Sequence, residues 1–306
     1  MTSDDPLLVV VAGPTAVGKT SFAIDLARRL STEIISADSR QFYQEMKIGT
    51  AAPTTVELSQ VKHHFVHQLS IGDSYNVSRF EEEVLGQLEK LFTTHRVVVM
   101  TGGSGLYINA VCHGIDLLPD PDPVIREALK DMLATSGIAA LQQELRNVDP
   151  LYALQVDMAN PARLMRALEV CRMTGVPYSS LRSNKPRKRP FRTVKLGLEL
   201  PRELLYRNIN HRVDAMMEAG LFEEALALYP NRHLNALNTV GYRELFDHFE
   251  GLVSLEFAVT KIKVNTRRYA KRQLTWFKKD REYLWFSPED MSGVMALPEL
   301  MELTAK

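Results

Sequence analysis

At 306 residues, with hydrophobic side chains making up 45% of the chain, the sequence can bury a sizeable core, and this excludes a disordered or low-complexity protein. Lysine plus arginine and aspartate plus glutamate both number 37, so overall charge announces no polyanionic partner; the two cysteines, Cys112 and Cys171, are too few and too far apart for a disulfide framework or a cysteine zinc site. Charge is uneven along the chain, however, because 261–281 carries nine Lys or Arg against one acidic residue, Asp280.

The opening MTSDDPLL is acidic, and the apolar run after it is too short to cross a membrane or act as a signal segment, so a cytoplasmic protein without a membrane partner is expected. A strand is predicted at 8–12, then a helix on the spacing of Phe22, Ala23, Leu26, Ala27 and Leu30. Further strands are predicted at 33–37, 97–101 and 194–200, with a helix on Phe80, Val84, Leu88 and Leu91 between the second and third. Their Val, Ile and Leu content is that of parallel strands buried on both faces, and the alternation predicts an α/β, doubly wound parallel sheet of the P-loop type. From about 118 to 183 the strand signal gives way to helical spacing, entered by PDPDP at 119–123 and left by SNKPRKRPFR at 183–192. The expected division is a core of 1–117 and 193–306 around an inserted helical subdomain of 118–192. The returning strand leads into a helix over about 202–219 and a long basic helix over about 257–279.

The first strand runs into Gly13, Pro14, Thr15, Ala16, Val17, Gly18, Lys19 and Thr20, a G-x-x-x-x-G-K-[ST] loop placed between a buried strand and a helix. In that setting loop N–H groups and the helix N-terminus surround an anion, Lys19 adds a charge, and the Thr20 hydroxyl is a ligand for Mg2+. A phosphate loop does not specify the reaction. No Asn-Lys-x-Asp segment marks a GTPase. The strand EIISAD ends in Asp38, and three roles remain open for it from spacing alone: general base, metal carboxylate, or cap of a turn.

The segments GPTAVGKT, ISADSRQFYQEMKIGTAAP, TGGSGLYINA, NPARLMRALEV, TVGYREL and KRQLTWFKKD occur in the order found in tRNA dimethylallyltransferases, also called isopentenyl-tRNA transferases, and the chain resembles that family from about 8 to 285. The resemblance implies transfer of a dimethylallyl group from dimethylallyl diphosphate to N6 of the adenosine just 3′ of the anticodon in tRNA. The phosphate loop would then grip a leaving group while carbon changes partners. It implies Asp38 as general base, Arg212 on the diphosphate with Lys19 and Thr20, and Mg2+ as cofactor. It places Asp38, Ser39, Arg40 and Gln41 around the target base with Ser104 nearby. It marks Arg126, the run Ala162, Arg163, Leu164, Met165 and Arg166, and the run Thr239, Val240, Gly241, Tyr242, Arg243 and Glu244 as RNA contacts.

Lys271 and Arg272, with Arg267, Arg268, Lys278 and Lys279, put charge of one sign on a single element, which is the footprint of phosphate binding. Trp276 and Phe277 beside them read first as core aromatics and second as stacking platforms. Lys185, Arg187, Lys188 and Arg189 read equally as backbone contacts and as a solvated linker. His63, His64 and His67 have zinc-like spacing without nearby Cys, Asp or Glu partners. A monomer is expected. The competing readings are an adenylate isopentenyltransferase, which would need neither the insertion nor the basic helix, a small-molecule kinase, which would bind ATP and release ADP, and a non-catalytic RNA-binding protein, which would need neither Lys19 nor Asp38.

Overall fold

In the strand Leu7–Ala12 (β1), Leu7, Val9 and Val11 enter one apolar cluster while Leu8, Val10 and Ala12 enter another, so alternate side chains serve opposite faces of a sheet covered on both. The computed structural model describes residues 5–183 and 185–304; residues 1–4 of the acidic opening, Asn184 of the expected exit segment and 305–306 lie outside them.

Five more strands join β1: Ile34–Ser36 (β2), His63–His64 (β3), Val97–Gly102 (β4), Arg192–Leu198 (β5) and Tyr283–Phe286 (β6). All pair in parallel, in the order β3-β2-β4-β1-β5-β6. The α-helices among the described residues are Lys19–Arg29 (α1), Thr55–Gln60 (α2), Val77–Leu91 (α3), Gly105–His113 (α4), Pro123–Val148 (α5), Pro150–Ala153 (α6), Pro161–Thr174 (α7), Arg202–Glu218 (α8), Leu221–Leu228 (α9), Tyr242–Phe249 (α10), Leu255–Phe277 (α11), Met291–Met295 (α12) and Pro298–Thr304 (α13). The four anticipated strands are present. The sheet has two more, at its edges: β3 is two residues long and lacks any apolar run, and β6 is aromatic with only Tyr283 buried, so neither carries the pattern of a buried strand.

The chain forms two compact units, Met1–His113 with Lys188–Lys306, and Gly114–Arg187. The insertion therefore begins at 114 rather than the expected 118 and ends at 187 rather than the expected 192. Arg189 explains the shift at the exit, because its guanidinium donates to the carbonyls of Ala110 and Val111 and pairs with buried Glu81, and Phe191 is buried, which ties this stretch to the sheet unit. Arg189 is thus an internal strut rather than a solvated linker cation.

In the helical unit, Leu129, Leu141, Leu145, Leu164 and Leu168 form a small core. Gly137, at φ 70°, breaks α5 into two segments. Glu169 on α7 is fully buried, and the paired guanidinium groups of Arg126 and Arg166 outweigh the burial that would raise its pKa and hold the carboxyl below its usual value. In the sheet unit, a further cluster joins Tyr43 and Met46 to Val213, Leu221, Tyr242, Leu245 and Ile262, fixing α8 to α11 beside the loops that follow β2. Among the described residues, no helix is long and apolar enough to cross a membrane.

Candidate active site

The carboxyl ends of β1, β2 and β4 open on a cavity of about 450 Å³ within the sheet unit. Gly13 begins the loop that floors it, and a side chain there would meet the Leu198 carbonyl of β5 at 2.7 Å. Gly18, at φ 101°, turns the chain into α1, whose first N–H groups have no helical partners. Thr15, Ala16, Gly18, Lys19 and Thr20 line the cavity. The Lys19 ammonium rests on the Pro14 carbonyl at 2.8 Å. Burial and then repulsion from Arg212 lower its pKa to about 7, against a smaller opposing pull from Asp38. An entering polyanion restores that charge.

Arg212 reaches the same cavity from α8 and donates to the Thr15 hydroxyl at 3.0 Å, while Asn208 approaches the Ala16 carbonyl one turn earlier. Burial lowers the pKa of Arg212 as well, with Asp38 and Glu57 opposing. Arg207 is exposed. Two desolvated cations beside a ring of backbone N–H groups are built to receive concentrated negative charge.

Asp38 follows β2 and lines the cavity. One carboxylate oxygen accepts the Arg40 N–H at 3.0 Å, and the other takes no hydrogen bond from the described residues. The turn-cap role is therefore real and leaves one oxygen open for chemistry. Ser104 holds this turn in place: its hydroxyl accepts from Ser39 N at 3.0 Å and donates to the Ser39 hydroxyl at 3.2 Å. Arg40 and Gln41 line the cavity beyond Asp38.

Gln273 of α11 is a site residue that the basic pattern around it concealed. Its side-chain oxygen accepts the Thr15 N–H and its amide donates to the Gly103 carbonyl, each at 2.9 Å, so one buried amide ties the phosphate loop to the loop after β4. In sequence it lies within the KRQLTWFKKD segment, where the cations around it draw the reading toward phosphate contact. Tyr269, one turn earlier, also lines the cavity and stays 37% exposed.

The remaining candidates divide by environment. Thr239, Val240 and Gly241 line the cavity and Arg243 is exposed, but Tyr242 and Glu244 are buried; Tyr242 donates to Glu224, and Glu244 accepts from Gly241 N and Asn265. Arg126 and the residues from Ala162 to Arg166 belong to the helical unit, where Ala162 and Arg163 are exposed, Met165 is half-buried, Leu164 is core, and Arg126 and Arg166 hold Glu169. Lys271 and Arg272 are exposed on α11; Phe277 is buried, whereas Trp276 is 43% exposed.

The histidine triplet is dispersed. His63 lines the cavity and donates Nδ1–H to the Val61 carbonyl, and His64 pairs with Glu33, an acidic partner that sequence proximity did not disclose. Among the described residues, His113, Asp280 and Glu282 are the group whose atoms converge as metal ligands would, and the Lys195 ammonium lies 2.7 Å from each of them. A lysine holds that centre. For Mg2+, a donor that fits is in the cavity: the Thr20 hydroxyl, which has no hydrogen-bond partner among the described residues, is a hard oxygen ligand.

A parallel P-loop-like sheet, two half-buried cationic side chains at its phosphate loop and a carboxylate in the same cavity define a protein that handles a phosphorylated substrate. A model of the IPP transferase family matches residues 41–280. A tRNA dimethylallyltransferase of Christiangramia forsetii is 52% identical over 93% of this chain and 94% of its own, and a tRNA dimethylallyltransferase 2 of Parabacteroides distasonis is 50% identical over 94% and 96%. The crystal structure of the full-length tRNA isopentenylpyrophosphate transferase from Bacillus halodurans superposes with a TM-score of 0.70 at 36% identity, covering 97% of this chain and 98% of that one. The chain belongs to the IPP transferase family.

Proposed function

We propose that this protein transfers the dimethylallyl group of dimethylallyl diphosphate to N6 of the adenosine 3′-adjacent to the anticodon in tRNA, releasing diphosphate. The observation that carries the reading is the confluence of Lys19, Arg212, Thr20 and Asp38 in one cavity. Diphosphate departure concentrates negative charge on the leaving oxygen, where Lys19, Arg212 and the loop N–H groups stabilise it. Mg2+, for which the Thr20 hydroxyl would be a ligand, would supply further charge neutralisation on the diphosphate.

An exocyclic amine conjugated to a purine is a weak nucleophile, so removal of its proton must accompany attack on carbon. Asp38 takes that proton on its open oxygen while the bond to the Arg40 N–H keeps the carboxylate oriented. The electron pair of the breaking C–O bond stays with diphosphate, and the new bond joins N6 to the allylic carbon. The target base must leave its stack to enter the cavity, and Gln41 with Tyr269 forms part of the wall that would receive it. Exposed Lys271 and Arg272 would hold RNA phosphates outside.

Mass spectrometry after incubation with dimethylallyl diphosphate and Mg2+, with anticodon stem-loops and AMP in separate reactions, tests the reading. A five-carbon gain on the loop adenosine supports it. A gain on AMP alone assigns a free-nucleotide acceptor, and no gain on either overturns prenyl transfer.

A further inference from the structure

Glu224 on α9 belongs to none of the motifs that mark the cavity, yet its carboxylate is saturated with donors. One oxygen accepts from Lys47 N at 3.0 Å and Ile48 N at 2.8 Å; the other accepts from Gly49 N at 2.9 Å and from the Tyr242 hydroxyl at 2.7 Å. Three successive backbone N–H groups on one carboxylate fix a loop as a bound anion fixes a nest, and the charge makes each bond stronger than a neutral one.

The loop needs such a clamp. Ala51 sits at φ 46°, a left-handed conformation that an alanine keeps only when its surroundings impose it. Gly49 lies so close to Tyr242 that a side chain there would stand 2.6 Å from the ring. The carbonyls of Thr50 and Ala51 in turn accept from the Gln41 side-chain nitrogen, at 3.3 and 3.2 Å, while the Gln41 oxygen accepts from the Ser36 hydroxyl at 3.3 Å. Gln41, Gly49, Thr50 and Ala51 all line the cavity.

We propose that Glu224 is a positioning residue for the acceptor: it holds the 47–51 loop, and through it the Gln41 amide, in the shape that admits the target adenine. The inference rests on the RNA-prenylation reading above. Among the described residues, none of the hydrogen bonds that link Glu224, the 47–51 loop and Gln41 runs to Thr15, Lys19 or Arg212, so the donor end of the cavity is held by separate contacts.

The test uses the full chain with Mg2+, dimethylallyl diphosphate and an anticodon stem-loop. Glu224→Ala raises KM for the RNA about tenfold and changes KM for the diphosphate by less than about twofold, while Glu224→Gln, which keeps a carbonyl acceptor, recovers part of the loss. Tyr242→Phe, a milder change that removes one donor, moves the RNA KM in the same direction by a smaller factor. Gln41→Ala reproduces the acceptor defect, and the double variant Glu224→Ala/Gln41→Ala is no worse than the poorer single one. Amide hydrogen exchange at 47–49 accelerates in Glu224→Ala whether or not RNA is present. Equal rises in both KM values, multiplying effects in the double variant, or unchanged exchange at 47–49 overturn the proposal. A wild-type protein that prenylates no RNA overturns the reaction and the acceptor role together, whereas wild-type transfer with a normal Glu224→Ala enzyme overturns the role of Glu224 alone.

Discussion

Arg212 on α8 donates to the hydroxyl of Thr15 in the phosphate loop at 3.0 Å, bridging positions 197 residues apart. Its burial disfavours the charged form, as the lowered pKa records, so the guanidinium is a stability cost retained where negative charge is to be bound. Arg212→Ala is expected to lower kcat/KM for dimethylallyl diphosphate by about 100- to 1000-fold while the melting temperature holds or rises. Arg212→Lys should recover little, since an ammonium cannot keep the Thr15 contact and reach a phosphate with a planar fork. Steady-state kinetics beside thermal melts check this, and a parallel fall in activity and melting temperature would reduce Arg212 to a structural role.

Asp38 uses one carboxylate oxygen on the Arg40 N–H and leaves the other open. Asp38→Asn preserves the turn acceptor and removes the base, so single-turnover prenylation should slow by about 100-fold or more while RNA affinity shifts less than about threefold. Asp38→Ala should add a modest loss of RNA affinity because the turn loosens. Rapid-quench chemistry set against filter binding separates the two; loss of affinity with intact chemistry would make Asp38 a cap only.

The phosphate loop, the alternating strands and the cationic run were legible because each is local: a strand, a turn and a helix announce themselves in consecutive residues. Gln273 was not, because its role consists of bonds to Thr15 and Gly103, which lie far away in the chain. Tyr242 shows the opposite limit. It stands within a motif whose resemblance marks RNA contact, but it is buried against Gly49 and Glu224, so a segment can belong to a binding region while some of its side chains only shape that region. The end of the insertion at 187 rather than 192 was hidden for the same reason: a basic, proline-bearing stretch looks solvated until Glu81 is seen beside Arg189.

Trp276 and Tyr269 stand two turns apart on one face of α11 with Gln273 between them, and the Trp276 indole lies against Gly105, where a side chain would come within 2.2 Å of the Cδ1–Nε1 edge of the ring. Both aromatics are about two-fifths exposed, at 43% and 37%, unlike neighbouring Phe277 at 1%. In the prenylation reading, an exposed ring against a glycine next to Ser104 would serve as a stacking platform for bases beside the target adenosine. Trp276→Ala should weaken RNA binding by about 1–3 kcal/mol and Trp276→Phe by less, with dimethylallyl diphosphate affinity unchanged. Binding isotherms for both ligands decide it; an unchanged RNA isotherm would leave Trp276 as a surface packing residue.

Lys195 in β5 is 2% exposed and its ammonium contacts Asp280 and Glu282, so it pins the end of α11 and β6 to the sheet. Burial works against its charge, but the two carboxylates outweigh it and its pKa is raised; the pKa of Asp280 is lowered, its burial being outweighed by Lys195. The raised lysine contributes stability below its ordinary 10.5 that is lost as pH climbs through the folded value, and the lowered aspartate contributes stability above its ordinary 3.8 that is lost as pH falls through its folded value. Lys195→Met should cost about 2 kcal/mol at neutral pH, discounted because the carboxylates are partly hydrated, and the difference from wild type should shrink in acid. Urea unfolding from acid to neutral pH checks this, and a difference that does not vary with pH would assign the loss to packing.

Lys271 and Arg272 are exposed on α11, and Arg272 lies 5.7 Å from the centre of the Tyr269 ring, so the charge at this surface adjoins the cavity wall rather than a remote face. Each phosphate neutralised by a protein cation releases condensed counterions, and the affinity then falls as salt rises. Replacing both residues with glutamine should weaken stem-loop binding uniformly across loop sequences and reduce the slope of log affinity against log salt by about 1.5 to 2. The rate of the chemical step at saturating RNA should stay within about twofold, because neither side chain reaches the reacting atoms in this reading. Titrations at several salt concentrations measure the slope directly: an unaltered slope would remove α11 from the RNA surface, and a slope that falls together with the saturated rate would place these cations in the chemistry itself.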